Sequence, residues 1–289
     1  MFAGKHAWAC RSQPMLLAAS LLLSAVCCRS SAQIGSEPQN TPEHNPRLTD
    51  FQVFELRRYV VKTGERKHFA QYFETWFPEA FQQLGAIAAG SFLERGNETG
   101  FTWLRGFHTI DDRAVSNAAF YYGSLWNEHR GTLNDLIADS DNVLLLRPLS
   151  PGRGLMILPA VDPVNEPNGA QGVVVAQVFA VKKDSVEAFA KGAEAEFASY
   201  REAGAREAGV LVTLDVRNNF PQLPIRTDGS YLVWFGVLRN NQTLEKQFIP
   251  VTRQAARAFT VTGVLRGAPE LIVLDPTPRS RMRWLPSWK

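Results

Sequence analysis

One pattern of strands and helices occurs twice along this 289-residue chain, and that duplication constrains the fold more than any other feature. The order strand, helix, hairpin, helix, strand runs through residues 51–149 and returns through residues 172–276. Aligning Tyr59 with Phe179 and Phe69 with Phe189 uses an offset of 120 residues. Gly106 then meets Gly236 at an offset of 130, the extra length fitting a longer second hairpin.

In the first copy, residues 51–61 alternate around β-branched and aromatic side chains and predict a strand. Period-two alternation places Phe54, Leu56 and Val60 on one face, and Val53, Glu55, Arg57 and Tyr59 on the other. After Thr63-Gly64, apolar residues from Phe69 to Leu84 recur at helical spacing, with Pro78 set to kink the helix. Residues 88–95 and 101–109 predict a hairpin around Gly96-Asn97. A second helix follows from about Asp111, striped by Val115, Ala118, Tyr122, Leu125, Trp126, His129, Leu133 and Leu136. Residues 143–147 close the unit before Pro148. This βαββαβ order predicts an antiparallel sheet with both helices on one face, a ferredoxin-like unit.

The second copy repeats the order, with strands at residues 210–216, 231–239 and 270–275. Residues 150–171, rich in Pro, Gly and Asn, read as a linker, and residues 277–289 as a C-terminal tail. Each unit leaves one partly apolar sheet face bare. Two bare faces are buried most economically against each other, so the units are expected to close face to face into a barrel, within the chain or between chains. The expected class is therefore α+β, two tandem ferredoxin-like units in a dimeric α/β-barrel-type arrangement.

Residues 1–32 read as an export signal: Lys5 and Arg11 precede an apolar run at residues 15–26, and Ser30 and Ala32 suit cleavage. Export to the periplasm or the exterior is expected, with a lipoprotein anchored at Cys27 or Cys28 as the alternative. All three cysteines lie in that segment, so the mature chain has no thiol nucleophile, disulfide or Cys-ligated metal. Residues 33–50 read as a flexible tether. With a net charge of +3 and no run of five Lys or Arg, no nucleic-acid footprint is expected. No membrane span is expected in the mature chain, and homo-oligomerisation is left open.

Several segments together resemble the NIPSNAP family. They are Glu55-Leu56-Arg57-Arg58-Tyr59, the break at Trp76-Phe77-Pro78, the stretch from Phe120-Tyr121-Tyr122-Gly123 to Trp126, and residues 141–148, Asp-Asn-Val-Leu-Leu-Leu-Arg-Pro. The resemblance covers residues 51–149 closely and residues 173–275 weakly, where Gln177 and Phe179 stand for Arg57 and Tyr59. It implies the dimeric α/β-barrel superfamily, whose members include haem-binding enzymes, cofactor-free monooxygenases and isomerases. It implies no reaction for this chain.

The candidate site is expected inside the barrel. There Glu55, Arg57 and Tyr59 of the first strand would join Trp103, Arg105 and Phe107 of a neighbour, making a pocket for a small anionic or aromatic molecule. The competing reading is an internal ion pair from Glu55 to Arg57 or Arg105. Were the site catalytic, Glu55 would transfer protons and Arg57 or Arg105 would stabilise an anion. The matching positions of the second copy are expected at Val175, Gln177, Phe179, Val233, Phe235 and Val237, which are almost all apolar. No cofactor and no metal site are expected. A haem on His129, which lies on the apolar helix stripe, is the alternative. His68 and His108 lack partners at metal-ligand spacing. Serine-hydrolase and dinucleotide signatures are absent from the sequence. The alternatives to a binding protein are a non-catalytic assembly module and a haem-dependent or cofactor-free oxygenase or isomerase.

Overall fold

A computed structural model describes residues 50–288. The expected signal peptide, the lipidation alternative and all but the last residue of the tether lie outside the described residues. The first copy comprises β1 (Val53–Val61), α1 (Arg66–Trp76), α2 (Pro78–Gln83), β2 (Ile87–Glu94), β3 (Gly100–Phe107), α3 (Ile110–Tyr121), α4 (Ser124–Leu136) and β4 (Ile137–Pro148). The second comprises β5 (Val173–Val181), α5 (Val186–Gly192), α6 (Glu194–Glu202), β6 (Arg206–Thr213), β7 (Ser230–Leu238), α7 (Asn241–Thr243), a π-helical turn (Leu244–Phe248), α8 (Ile249–Val261) and β8 (Glu270–Pro276). Every helix expected from periodicity is present, and both helices of the first copy are broken. Pro78 opens α2 at its first turn, where a missing N–H costs nothing, and Gly123 separates α3 from α4.

The eight strands close into one antiparallel barrel in the order β1-β3-β2-β8-β5-β7-β6-β4. Each copy contributes four neighbouring strands. The seams are β2 against β8 and β4 against β6, both antiparallel. The face-to-face closure expected from the two bare sheets therefore occurs within a single chain. The two copies do not separate into two compact units. Among the described residues no helix is long and apolar enough to cross a membrane.

The register alters the alignment of the copies. Glu55, Arg57 and Tyr59 pair with Arg105, Trp103 and Phe101, whereas Val175, Gln177 and Phe179 pair with Gly236, Trp234 and Leu232. The structural offset between β3 and β7 is thus 131, not the 130 that matching Gly106 to Gly236 implies. In a strand, a slip of one residue moves every side chain to the opposite face. Val233, Phe235 and Val237 accordingly face the barrel interior, and the counterparts of Trp103 and Arg105 are Trp234 and Gly236.

Three apolar clusters build the core. One lies between α1–α4 and the first sheet, and a second lies between the helices and sheet of the second copy. The third gathers the inward residues of both sheets, including Phe54, Leu56, Leu104, Val174, Val233 and Phe235. It also takes in residues 155–158 of the linker and Met282, Trp284 and Trp288 of the tail. Segments expected to be connectors are thus core elements, held in place by polar anchors. Arg283 donates from Nε and Nη2 to the two Glu166 carboxylate oxygens at 2.5 and 2.6 Å, and the Leu158 N–H donates to the Arg281 carbonyl at 3.0 Å. The barrel interior is consequently packed with the chain's own apolar residues rather than open to a ligand.

Candidate functional site

The structure brings together all six residues expected to form the site, but on the other side of the sheet. Glu55, Arg57, Tyr59, Trp103, Arg105 and Phe107 face the helices, where Tyr59, Trp103 and Phe107 share a cluster with Phe73, Phe77 and Phe81. The expectation that they look into the barrel is corrected for a physical reason. The intervening residues Phe54, Leu56 and Leu104 match the apolar linker and tail, so the charged set is left for the helix side.

Glu55 is the hub. Its Oε2 accepts from Arg57 Nη1 at 2.9 Å and from Arg105 Nε at 2.6 Å, and its Oε1 accepts from Arg113 Nε at 2.6 Å. All four side chains are at most 1% exposed. Burial alone would raise the Glu55 pKa, but the charges of Arg105, Arg57 and Arg113 outweigh it and hold the carboxyl far below its usual range. A carboxylate saturated by three guanidinium groups is a poor proton acceptor. Glu55 is also not among the residues lining the adjacent cavity, so the proton-transfer role expected of it is not supported by its position.

Three guanidinium groups face this one carboxylate, a surplus of two positive charges. Arg57 Nε donates to the Tyr59 hydroxyl at 2.9 Å. Arg113 Nη1 donates to the side-chain oxygens of Asn218 and Asn219 at 3.1 and 2.8 Å. The remaining buried donors have no acceptor among the described residues: both Nη groups of Arg105, Nη2 of Arg113, Trp103 Nε1 and Asn117 Nδ2. Arg105 lies instead 5.3–5.9 Å from the ring centroids of Phe81, Trp103, Phe107 and Tyr121. Ring faces offset part of its desolvation but supply no negative charge.

Beside this cluster lies a cavity of about 210 Å³, lined by Arg57, Tyr59, Trp103 and Tyr121, by Phe73, Phe77, Phe81, Phe120 and Trp126, and by Gln222, Leu223 and Pro224 from beyond β6. The exposed Asp141 also lines it. Burial pushes the Tyr121 phenol upward, against the pull of Arg105, so the hydroxyl is a proton donor at neutral pH.

Arg113, Asn117 and Tyr121 escaped the periodicity argument, and α3 shows why. The expected stripe began at Val115 and passed through Tyr122, yet these are 69% and 66% exposed. The buried face is Arg113, Ser116, Asn117 and Phe120, spaced i, i+3, i+4 and i+7 but mostly polar. A hydrophobic count selects the wrong face of such a helix. Its start was legible, because Thr109 and Asp112 form a reciprocal capping box at 3.1 Å in each direction.

His129 is held by the Tyr72 hydroxyl at 2.6 Å from Nδ1 and stacks on Trp76 at 4.2 Å. It does not line the cavity. His68 bonds Glu65, and His108 lies near the Asp50 carbonyl. Among the described residues, no three His, Cys, Asp or Glu side chains come together to hold a metal ion.

No protein-family model and no curated protein matches the chain. Solved structures do. A candidate monooxygenase from Lactobacillus acidophilus has 13% identity and a TM-score of 0.50, with 78% of this chain and 94% of that one covered. An anthrone oxidase-like protein has 12% identity and a TM-score of 0.50, with 83% and 98% covered. A NIPSNAP-family protein of unknown function from Agrobacterium tumefaciens has 23% identity and a TM-score of 0.32, with 35% and 94% covered. The first two share nearly their whole length with this chain at the level of fold. The protein has the dimeric α/β-barrel fold, with both halves of the barrel supplied by one polypeptide.

Proposed function

We propose that this is an exported protein that binds a small aromatic anion between the sheet and helices of its first half. The carrying observation is the buried charge surplus: three arginines on one carboxylate, beside a ring-walled cavity that Arg57 and Trp103, whose Nε1 is an unpaired donor, both line. An internal ion pair alone would be expected to balance its charge, since burying an uncompensated guanidinium costs several kcal/mol by order of magnitude. A ligand anion restores the balance. The volume limits its size: a dry cavity of roughly 150 Å³ accepts benzene, and drug-sized sites run from about 300 Å³ upward. About 210 Å³ therefore suits one substituted ring.

In this arrangement Arg57 meets the anionic group, Tyr59 orients Arg57, and the rings of Phe77, Phe81 and Trp103 supply contact area. Arg105 and Arg113 act through Glu55 and the local field rather than by contact. Should the ligand be converted, Arg57 is placed to stabilise an oxyanion and the Tyr121 hydroxyl to give it a proton. Calorimetric titration with benzoate tests the reading. Binding to the wild type that disappears in Arg57→Ala is expected, and equal affinity in the two proteins would count against it.

A further inference from the structure

The two hairpins of the duplicated units differ in length, and the difference falls on the cavity. Residues 95–99 join β2 to β3, five residues, whereas residues 214–229 join β6 to β7, sixteen. The added segment does not fold back on its own sheet. It crosses to the first half, where Gln222, Leu223 and Pro224 form one wall of the cavity.

Its anchors are specific. Asn219 Nδ2 donates to the Ile110 carbonyl at 2.6 Å, Gln222 Nε2 donates to the Tyr122 hydroxyl at 3.0 Å, and the Arg226 N–H donates to the Val143 carbonyl at 2.8 Å. Phe220 packs 6.0 Å from the Tyr121 ring. The Asn218 and Asn219 side-chain oxygens accept from Arg113, which holds Glu55, which in turn holds Arg57. A continuous chain of charge-assisted bonds thus joins the roof to the cation proposed to meet the ligand.

We propose that the long hairpin of the second half is the specificity element of the first half's site. It admits single-ring anions and excludes larger ones, and Arg113 sets its position. This rests on the reading that the cavity binds an aromatic anion through Arg57. The segment walls a partly open compartment whose other sides are helices and sheet, so its side chains limit the length available to a ligand. The half that lacks the charged cluster retains a role as the other's wall.

The test uses the full chain and two roof variants. In one, residues 216–227 are replaced by Gly-Ser-Gly. In the other, Gln222→Gly and Leu223→Gly open the roof while Asn218 and Asn219 stay on Arg113, which keeps the test valid if the shortened protein fails to fold. The probe is 1-anilinonaphthalene-8-sulfonate, a three-ring anion too large for a cavity of about 210 Å³, followed by its fluorescence. The wild type is expected to exclude the dye. The roof variants should bind it one to one, at least tenfold tighter than the wild type, and lose it when Arg57→Ala is added. Exclusion of the dye by a folded roof variant, one-to-one binding by the wild type, or binding indifferent to Arg57→Ala would overturn the proposal. Benzoate separates this inference from the reading beneath it. Arg57-dependent dye uptake without benzoate binding by the wild type would remove the single-ring ligand and leave the roof assignment standing. Benzoate binding with dye-excluding roof variants would do the reverse.

Discussion

The two helix-covered sheet faces of this barrel share a backbone plan and differ in what they bury. In the first, Glu55 and Arg57 of β1 lie opposite Arg105 and Trp103 of β3. In the second, Val175 and Gln177 of β5 lie opposite Gly236 and Trp234 of β7. Trp103 and Trp234 are true counterparts, both fully buried against helix aromatics. What differs is the space beside the indole. A Cβ on Gly236 would come within 2.5 Å of the Trp234 ring, so the ring occupies the room that the Arg105 side chain takes in the first half. Hydrophobic packing closes one face, while a cationic surplus leaves the other in need of a counter-charge.

The contrast is broken most forcefully at Glu55. Glu55→Gln leaves three buried guanidinium groups without a formal counter-charge and is expected to cost about 3–5 kcal/mol, measured by denaturant unfolding. Val175→Ala, the matching position in the apolar half, removes only buried methyl groups and should cost about 1–2 kcal/mol. Equal losses would mean that the charged cluster contributes no more than packing.

The same carboxylate predicts a pH dependence of stability, to which Asp228 and Glu194 of the second half, also held below their usual range, add. Its folded pKa lies far below 4.5, so its contribution to stability is complete above about pH 4.5 and declines as the pH falls toward the folded value. Unfolding followed from pH 6 to pH 3 should show this decline in the wild type and a shallower one in Glu55→Gln. A slope that survives the substitution unchanged would assign it to other carboxylates.

Gly236→Ala sharpens the comparison from the other side. Displacing the Trp234 ring is expected to cost about 1–3 kcal/mol through overpacking, with benzoate affinity untouched. A loss of benzoate binding there would show that the halves are coupled through their cores and not only through the long hairpin. The smallest effect is expected at His129→Gln, about 1 kcal/mol from the Tyr72 hydrogen bond, with no change in ligand affinity. An effect on affinity larger than on stability would return His129 to the site.

Much of the architecture was legible in the chain. Period-two alternation placed Glu55, Arg57 and Tyr59 together, and the same rule placed Trp103, Arg105 and Phe107 together, as the register confirms. The face they occupy was not legible. Alternation separates inside from outside only when one face is wet, and nearly all of β1 and every residue of β3 are buried on both sides. Arg113 was hidden for a related reason. Its helix turns polar side chains toward a charged sheet and leaves Val115 in water, inverting the usual amphipathic sign. Asn218, Asn219 and Leu223 lie in an irregular hairpin, where no period exists to place them.

The amino-acid sequence by itself determined that there are two βαββαβ units, because strand and helix periodicities are local properties of consecutive residues. It also determined which side chains share a face, because the pleat is local too. Only the tertiary structure decided that the charged face meets the helices, that the linker and tail fill the barrel, and that one half's hairpin roofs the other's cavity. Those outcomes depend on which buried surfaces fit one another across more than a hundred residues, and complementarity at that range has no period to read.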